Sequence, residues 1–171
     1  MPLFIPLGMW TIDPIDGTKG FLRGGQYAVC VSLIVEGDVK VGVIGCPNLP
    51  VDPDDPEGKR GCLFASVKGR GTQQLTLSGS NPTPLHLPSS VTLSSLHLLE
   101  SYEPAHSSHS VNSVVSSLLS INKPPIRMDS QAKYGCLARS EGGGAIYLRL
   151  PTGSGYKEKI WVCLSPSHRG L

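Results

Sequence analysis

For its first 85 positions the chain alternates short apolar runs with turn-forming residues, and after that its period changes. Met9 to Asp13 is a brief apolar run ending on a carboxylate, which predicts a buried strand with Asp13 at its C-terminal end. Residues 18–24 have room for one or two helical turns before Gly24-Gly25 stops them. Tyr27 to Val35 is dense in Val, Ile and Leu and predicts a strand. Glu36-Gly37-Asp38 is a turn, and Val39 to Cys46 returns as the partner. Pro47 to Gly61 holds four prolines and four acidic residues and reads as a solvated loop. Its acidic run, Asp52, Asp54, Asp55 and Glu57, lacks the spacing of a Ca²⁺ loop. Cys62 to Val67 and Thr72 to Leu77 predict a second hairpin. Its tip, Lys68-Gly69-Arg70-Gly71, lacks the length and the Lys-Ser/Thr ending of a phosphate loop.

Ser78 to Ser90, rich in Ser, Pro and Asn, marks a boundary between halves. Leu93 to Glu100 predicts a strand. Val111, Val114, Val115, Leu118 and Leu119 fall on one helix face, with Ser107 or Ser108 as cap. Pro124-Pro125 breaks the chain and Ile126 to Met128 predicts a short strand. Ser130 is placed to cap a helix through Ala138, and Ala145 to Leu150 predicts a strand after the Gly142–Gly144 run. The expected class is α/β, a mixed α+β chain. Residues 1–85 form a sheet-rich half, residues 86–171 form an α/β half, and the active site lies between them.

Composition narrows this picture. With 171 residues, 39% apolar and 16% charged, the chain is an ordinary globular domain, neither disordered nor membrane-spanning. A net charge of +2 gives no reason to expect nucleic acid or an anionic membrane as partner. The five cysteines are scattered without a Cys-x-x-Cys pair, which suits reduced, buried thiols and a cytoplasmic location. Residues 1–9 are apolar but lack the basic start of a signal peptide.

The chemistry concentrates in Asp13-Pro14-Ile15-Asp16-Gly17-Thr18. Two carboxylates on one tight turn repel unless a cation lies between them. Hard oxygen ligands beside a phosphate suit Mg²⁺. Gly17 lets the backbone approach a ligand closely, and Thr18 can cap a helix whose N–H groups face an anion. An Asx-turn with a helix cap and no ligand is the alternative reading of the same six residues.

The longer string, with Lys19-Gly20-Phe21 behind it, resembles the signature of the inositol monophosphatase superfamily of Mg²⁺-dependent phosphatases. Further strings narrow the resemblance: Asp-Gly-Thr-Lys-Gly-Phe-Leu-Arg-Gly (16–24), Gly-Cys-Pro-Asn-Leu (45–49), His-Ser-Ser-His (106–109), Asp-Ser-Gln-Ala-Lys-Tyr (129–134), Tyr-Leu-Arg-Leu-Pro (147–151) and Glu-Lys-Ile-Trp (158–161). Together they resemble the 3′(2′),5′-bisphosphate nucleotidase branch, from about Trp10 to Trp161. That branch hydrolyses adenosine 3′,5′-bisphosphate to AMP and phosphate, and can act on the sulfated analogue, clearing a by-product of sulfate activation. The resemblance implies an inositol-monophosphatase-like layered fold. It implies that Asp13, the Ile15 carbonyl and Asp16 hold Mg²⁺, and that Gly17 and Thr18 bind the scissile phosphate. Thr18, with Asp13, would serve catalysis by helping to activate water. His106, Ser130, Lys133 and Arg149 would hold the nucleotide. Read alone, His106 is an anchor for its turn, Ser130 an N-cap, and Lys133 and Arg149 surface charges; Asp129 reads as structural.

The resemblance also sets an expectation of truncation at both ends. Members of the branch carry a long helical segment before the signature, supplying a Glu metal ligand and a water-orienting Asp. Here nine residues precede Trp10 and none is acidic. Members continue past the Glu-Lys-Ile-Trp string with a metal-binding Asp, whereas Val162-Cys163-Leu164 follows Trp161 here. The segment 142–144 looks slightly expanded, and Ala145 stands where an Asp is expected. This form is therefore expected to be weakly active or inactive, with one sheet face left bare. A nucleotide-binding fragment without catalysis and an inositol phosphate phosphatase are the alternatives.

Overall fold

The computed structural model describes residues 8–103 and 108–148. His106, Arg149, Ser107 and the Glu-Lys-Ile-Trp string lie outside these residues. Six strands form one antiparallel meander: β1 (Gly8–Asp16), β2 (Ala28–Val35), β3 (Asp38–Pro50), β4 (Arg60–Val67), β5 (Gly71–Thr76) and β6 (Thr83–Leu85), in that spatial order. A second sheet is parallel, with β7 (His97–Glu100) between β8 (Ile126–Arg127) and β9 (Ala145–Tyr147). Three α-helices, α1 (Thr18–Leu22), α2 (His109–Leu118) and α3 (Ala132–Ala138), and two single 3₁₀ turns, Leu93–Ser95 and Glu141–Gly143, complete the described chain.

The expected hairpins are present, and their turns show why. Glu36 and Gly37 both have positive φ (53° and 78°), the twist that lets a two-residue turn join β2 to β3 without splaying them. Several boundaries differ from expectation. β3 runs on to Pro50 because Cys46 and Pro50 still pair with β4 across a register shift, so the acidic loop begins at Val51. The Ser/Pro-rich stretch contains β6, which pairs with β5 through Thr83, Pro84 and Leu85. Leu93–Ser95 is a single 3₁₀ turn, not strand, and only His97–Glu100 joins the sheet. β1 extends past Asp13 to Asp16, with an irregularity between them where Pro14 supplies no backbone N–H.

The core lies between the two sheets. Ala28, Cys46, Cys62 and Phe64 from one face of the meander meet Leu99, Met128, Ala132 and Cys136. α3 packs against β3, and a Cβ on Gly135 would stand 2.4 Å from the Phe64 ring, so only glycine allows this approach. Burial pushes the thiols of Cys30, Cys46 and Cys136 well above their ordinary pKa, so they remain neutral packing groups. Arg139 ties the end of α3 to β3 by donating to the Pro50 carbonyl at 2.7 Å, while its other donors reach Glu141.

The opposite face of the meander is largely apolar, with Gln73 a polar exception opposite Ala65. Trp10, Leu33, Val41 and Val67 stand in one row across four strands, Ile12, Val31, Val43 and Ala65 in the next, and Val29, Leu63 and Leu75 in a third. None of these side chains is buried, and Trp10 and Ile12 are 60% and 61% exposed. The core cluster draws nothing from this face.

Candidate active site

The acidic turn sits at the end of β1, on the core-facing side of the meander. Register places Asp13 beside Cys30, Ile44 and Phe64, the row that faces the second sheet. The irregularity after Asp13 lets both carboxylates point towards that side. Asp16 and Asp13 both add to the upward push on the Cys30 thiol, behind the larger effect of burial. Within the turn, the Asp13 carboxylate accepts the Ile15 N–H at 3.2 Å, an Asx-turn. The Thr18 hydroxyl donates to the Ile15 carbonyl at 3.3 Å.

Thr18 is not the helix cap. Gly17 occupies that position with φ 80°, ψ 44°, a left-handed conformation that glycine adopts without penalty, and Thr18 is the first residue of α1. Ser130 likewise precedes the cap of its helix: it has φ 68°, Gln131 is the cap residue and α3 begins at Ala132. Ser130 still serves the helix start, because its hydroxyl accepts the Ala132 N–H at 3.2 Å. α2 begins at His109 after Ser108, whose side chain makes no capping bond.

Residues far apart in sequence meet at this turn. The Asp16 carboxylate accepts the N–H of Gln131. A Cβ on Gly17 would lie 2.7 Å from the Cβ of Ser130, so the turn and the β8–α3 loop touch with no space to spare. Lys133, one helical turn further on, is buried with 3% exposure. Its ammonium donates to the Met128 carbonyl at 3.0 Å and lies 5.4 Å from the Tyr147 ring centre. The surface-charge alternative for Lys133 is thereby excluded. Tyr134 packs edge-on to Tyr147 at 5.4 Å, closing the same region from α3. His106 and Arg149 lie outside the described residues.

A second polar cluster lines the C-terminal ends of the parallel strands. Glu100, 3% exposed, accepts from Asn112 Nδ2 at 3.1 Å and from Arg127 Nε at 2.9 Å, tying β7 to α2 and β8. Lys19 pairs with Glu103 at 2.7 Å, and Arg23 pairs with Asp129 and, at 3.5 Å, with Glu103. Sequence reasoning singled out the Lys-Gly-Phe-Leu-Arg-Gly string without giving these residues a role. Ion pairs spanning 80 or more positions leave no periodic trace in the sequence.

The donor set fits a hard cation in part. Asp13, Asp16 and the Ile15 carbonyl offer oxygen donors on one turn, the kind of donor that Mg²⁺ takes alongside waters and a substrate phosphate. The Ile15 carbonyl accepts from Thr18 but keeps a second lone pair. Among the described residues, no group of three or more His, Cys, Asp or Glu side chains is placed to hold a metal.

Comparison with known proteins identifies the family. Residues 8–164 match the model of the inositol monophosphatase family. The chain is 48% identical over 160 residues to 3′(2′),5′-bisphosphate nucleotidase 1 of Arabidopsis thaliana, covering 89% of this chain and 44% of that one. It is 46% identical over 167 residues to the 3′(2′),5′-bisphosphate nucleotidase of Emericella nidulans, covering 90% and 47%. The chain thus spans less than half the length of the curated relatives it matches. Among solved structures it resembles CysQ from Bacteroides thetaiotaomicron, a bacterial member of the inositol monophosphatase family (TM-score 0.60, 20% identity, covering 92% of this chain and 56% of that one). It also resembles Mycobacterium tuberculosis SuhB (TM-score 0.58, 20% identity, 92% and 57%). The acidic turn at the end of β1, the two-sheet architecture and the match across nearly the whole sequence lead to one conclusion: this chain belongs to the inositol monophosphatase family.

Proposed function

We propose that this chain carries the metal-and-phosphate turn and the nucleotide-side loops of a magnesium-dependent 3′(2′),5′-bisphosphate nucleotidase. The reaction is hydrolysis of adenosine 3′,5′-bisphosphate to AMP and phosphate, with the 2′,5′ isomer and the sulfated nucleotide as related substrates. The observation that carries this reading is the contact of Asp16 and Gly17 with Gln131 and Ser130, which joins two strings 115 positions apart in sequence.

Asp13, the Ile15 carbonyl and Asp16 would hold Mg²⁺. When bound, such a cation neutralises phosphoryl charge and stabilises the attacking and leaving oxygens of an in-line displacement. Thr18 spends its proton on the Ile15 carbonyl, which leaves its oxygen lone pairs free to accept from the attacking water and orient it. Gly17, in its left-handed conformation, turns the backbone so that the first N–H groups of α1 stay outside the helical ladder, where they can meet a phosphate. On the other side of the turn, Lys133 fixes a positive charge in a buried position beside Tyr147, suited to the second phosphate. Ser130 belongs to the same binding group, with His106 and Arg149 completing it. The buried, neutral thiols suit a reducing, cytoplasmic setting, and none of the described helices is long and apolar enough to cross a membrane.

A second reading has an observation in its favour. Two carboxylates stand at the turn and no larger ligand cluster occurs among the described residues, which favours a nucleotide- and phosphate-binding unit with little or no turnover. Phosphate release from adenosine 3′,5′-bisphosphate with Mg²⁺, run beside calorimetric titration with AMP, separates the two. Release together with binding supports the nucleotidase in this form. Binding without release supports the binding unit. Neither binding nor release contradicts both.

A further inference from the structure

Helix α1 has five residues, yet it and its C-terminal cap residue Arg23 make three ion pairs to two loops from the other half of the described chain. Arg23 pairs with Asp129 on the β8–α3 loop and with Glu103 on the segment that follows β7, and its guanidinium lies 5.6 Å from the centre of the Tyr102 ring. Lys19 holds Glu103 from the preceding turn of the helix. Gly20 lies between them with no clearance: a Cβ there would stand 2.2 Å from the Gln26 carbonyl oxygen and 2.7 Å from an Asp129 carboxylate oxygen. Asp129 is only 6% exposed, so its charge needs this partner, while Arg23 remains half-exposed. α1 is also continuous with the acidic turn, whose Asp16 and Gly17 touch the same β8–α3 loop.

From this we infer that Arg23 is a positioning residue: with Asp129 it sets the distance between the acidic turn and the two loops on the nucleotide side. It touches neither phosphate. It acts by holding Ser130 and Lys133 in register with Asp13–Thr18, so that one ligand can reach both places. The inference rests on the reading above, in which the turn takes one phosphate and the loops take the rest of the nucleotide. Its physical consequence is selective. A ligand spanning both places depends on their spacing, whereas a ligand occupying one of them does not.

The test is calorimetric titration of the full chain, with Mg²⁺, against adenosine 3′,5′-bisphosphate, AMP and inorganic phosphate. The wild type is compared with Arg23→Ala, Arg23→Lys and the near-isosteric Asp129→Asn, which preserves packing if Arg23→Ala fails to fold. Arg23→Ala and Asp129→Asn are expected to weaken the bisphosphate by about tenfold, an amount typical of small misplacement between two subsites. They should leave AMP and phosphate within about twofold, and Arg23→Lys should restore part of the loss. An equal loss for all three ligands, or no loss for the bisphosphate, overturns the positioning role while leaving the nucleotidase reading in place. A wild-type chain that binds no nucleotide removes the reading itself, and the inference with it.

Discussion

The acidic turn owes its shape to two glycines more than to its carboxylates. Gly17 supplies a left-handed residue at the start of α1 and a surface flat enough for Ser130 to rest on. Gly20 lets the helix press against Asp129 and the Gln26 carbonyl. Gly20→Ala puts a methyl group into backbone that cannot yield easily, and is expected to lower the unfolding free energy by about 1–3 kcal/mol. A denaturant melt that left the midpoint unchanged would show that α1 does not sit as closely as described. At this scale the sequence was legible where chemistry is local. Asp13, Asp16, Gly17 and Thr18 stand out because their types and spacing carry meaning together. Lys133 did not declare its burial, because a lysine within a helix reads the same whether it faces water or a core, and only the packing of Met128 and Tyr147 around it decides.

Among the elements, strands built on alternating or continuous apolar residues were read closely, and both predicted hairpins of the meander are present. The misses have physical causes. β6 is three residues with a proline in the middle, stabilised by pairing at the sheet edge and not by its own pattern. The apolar residues near Leu93 curl into a 3₁₀ turn because only His97–Glu100 has β9 and β8 beside it. α1 and the Arg23 that follows it are tied to the second half by ion pairs, and this makes their docking sensitive to pH. Lys19 and Arg23 hold the Glu103 carboxyl below the usual carboxylate range. A carboxyl depressed in the folded state contributes stability above its unfolded pKa, and that contribution is lost as the pH falls through the folded value. The stability difference between wild type and Glu103→Gln is therefore expected to be present at neutral pH, to start shrinking as the pH falls past the ordinary Glu value of about 4.3, and to be lost only once the pH has passed below the lower folded value. Thermal melts across that range check it, and a difference that grew on acidification would contradict the pairing.

On the scale of the whole molecule, the described chain has one satisfied sheet face and one apolar face that is not buried. A bare sheet face is expected from the sequence; in the described residues the apolar side chains from Trp10 and Ile12 across to Val67 and Leu75 are exposed or half-buried. Exposed apolar area of this extent favours association. Replacing Trp10 and Ile12 with lysine is expected to reduce binding of a hydrophobic dye and raise solubility without lowering the unfolding midpoint. A lowered midpoint would mean that these side chains support the fold. The remaining whole-molecule feature, the meeting of the acidic turn with the β8–α3 loop, could not be read from periodicity, because it depends on how the two sheets stack. The family resemblance anticipated it by placing both strings in one site.

The most direct test of that meeting is calorimetric titration of the chain with adenosine 3′,5′-bisphosphate in the presence of Mg²⁺ and again in EDTA, for wild type and Asp13→Asn. The account predicts binding that weakens on removing the cation, and an Asp13→Asn variant for which Mg²⁺ makes little difference. Binding equally tight with and without Mg²⁺, or unaffected by Asp13→Asn, would contradict it.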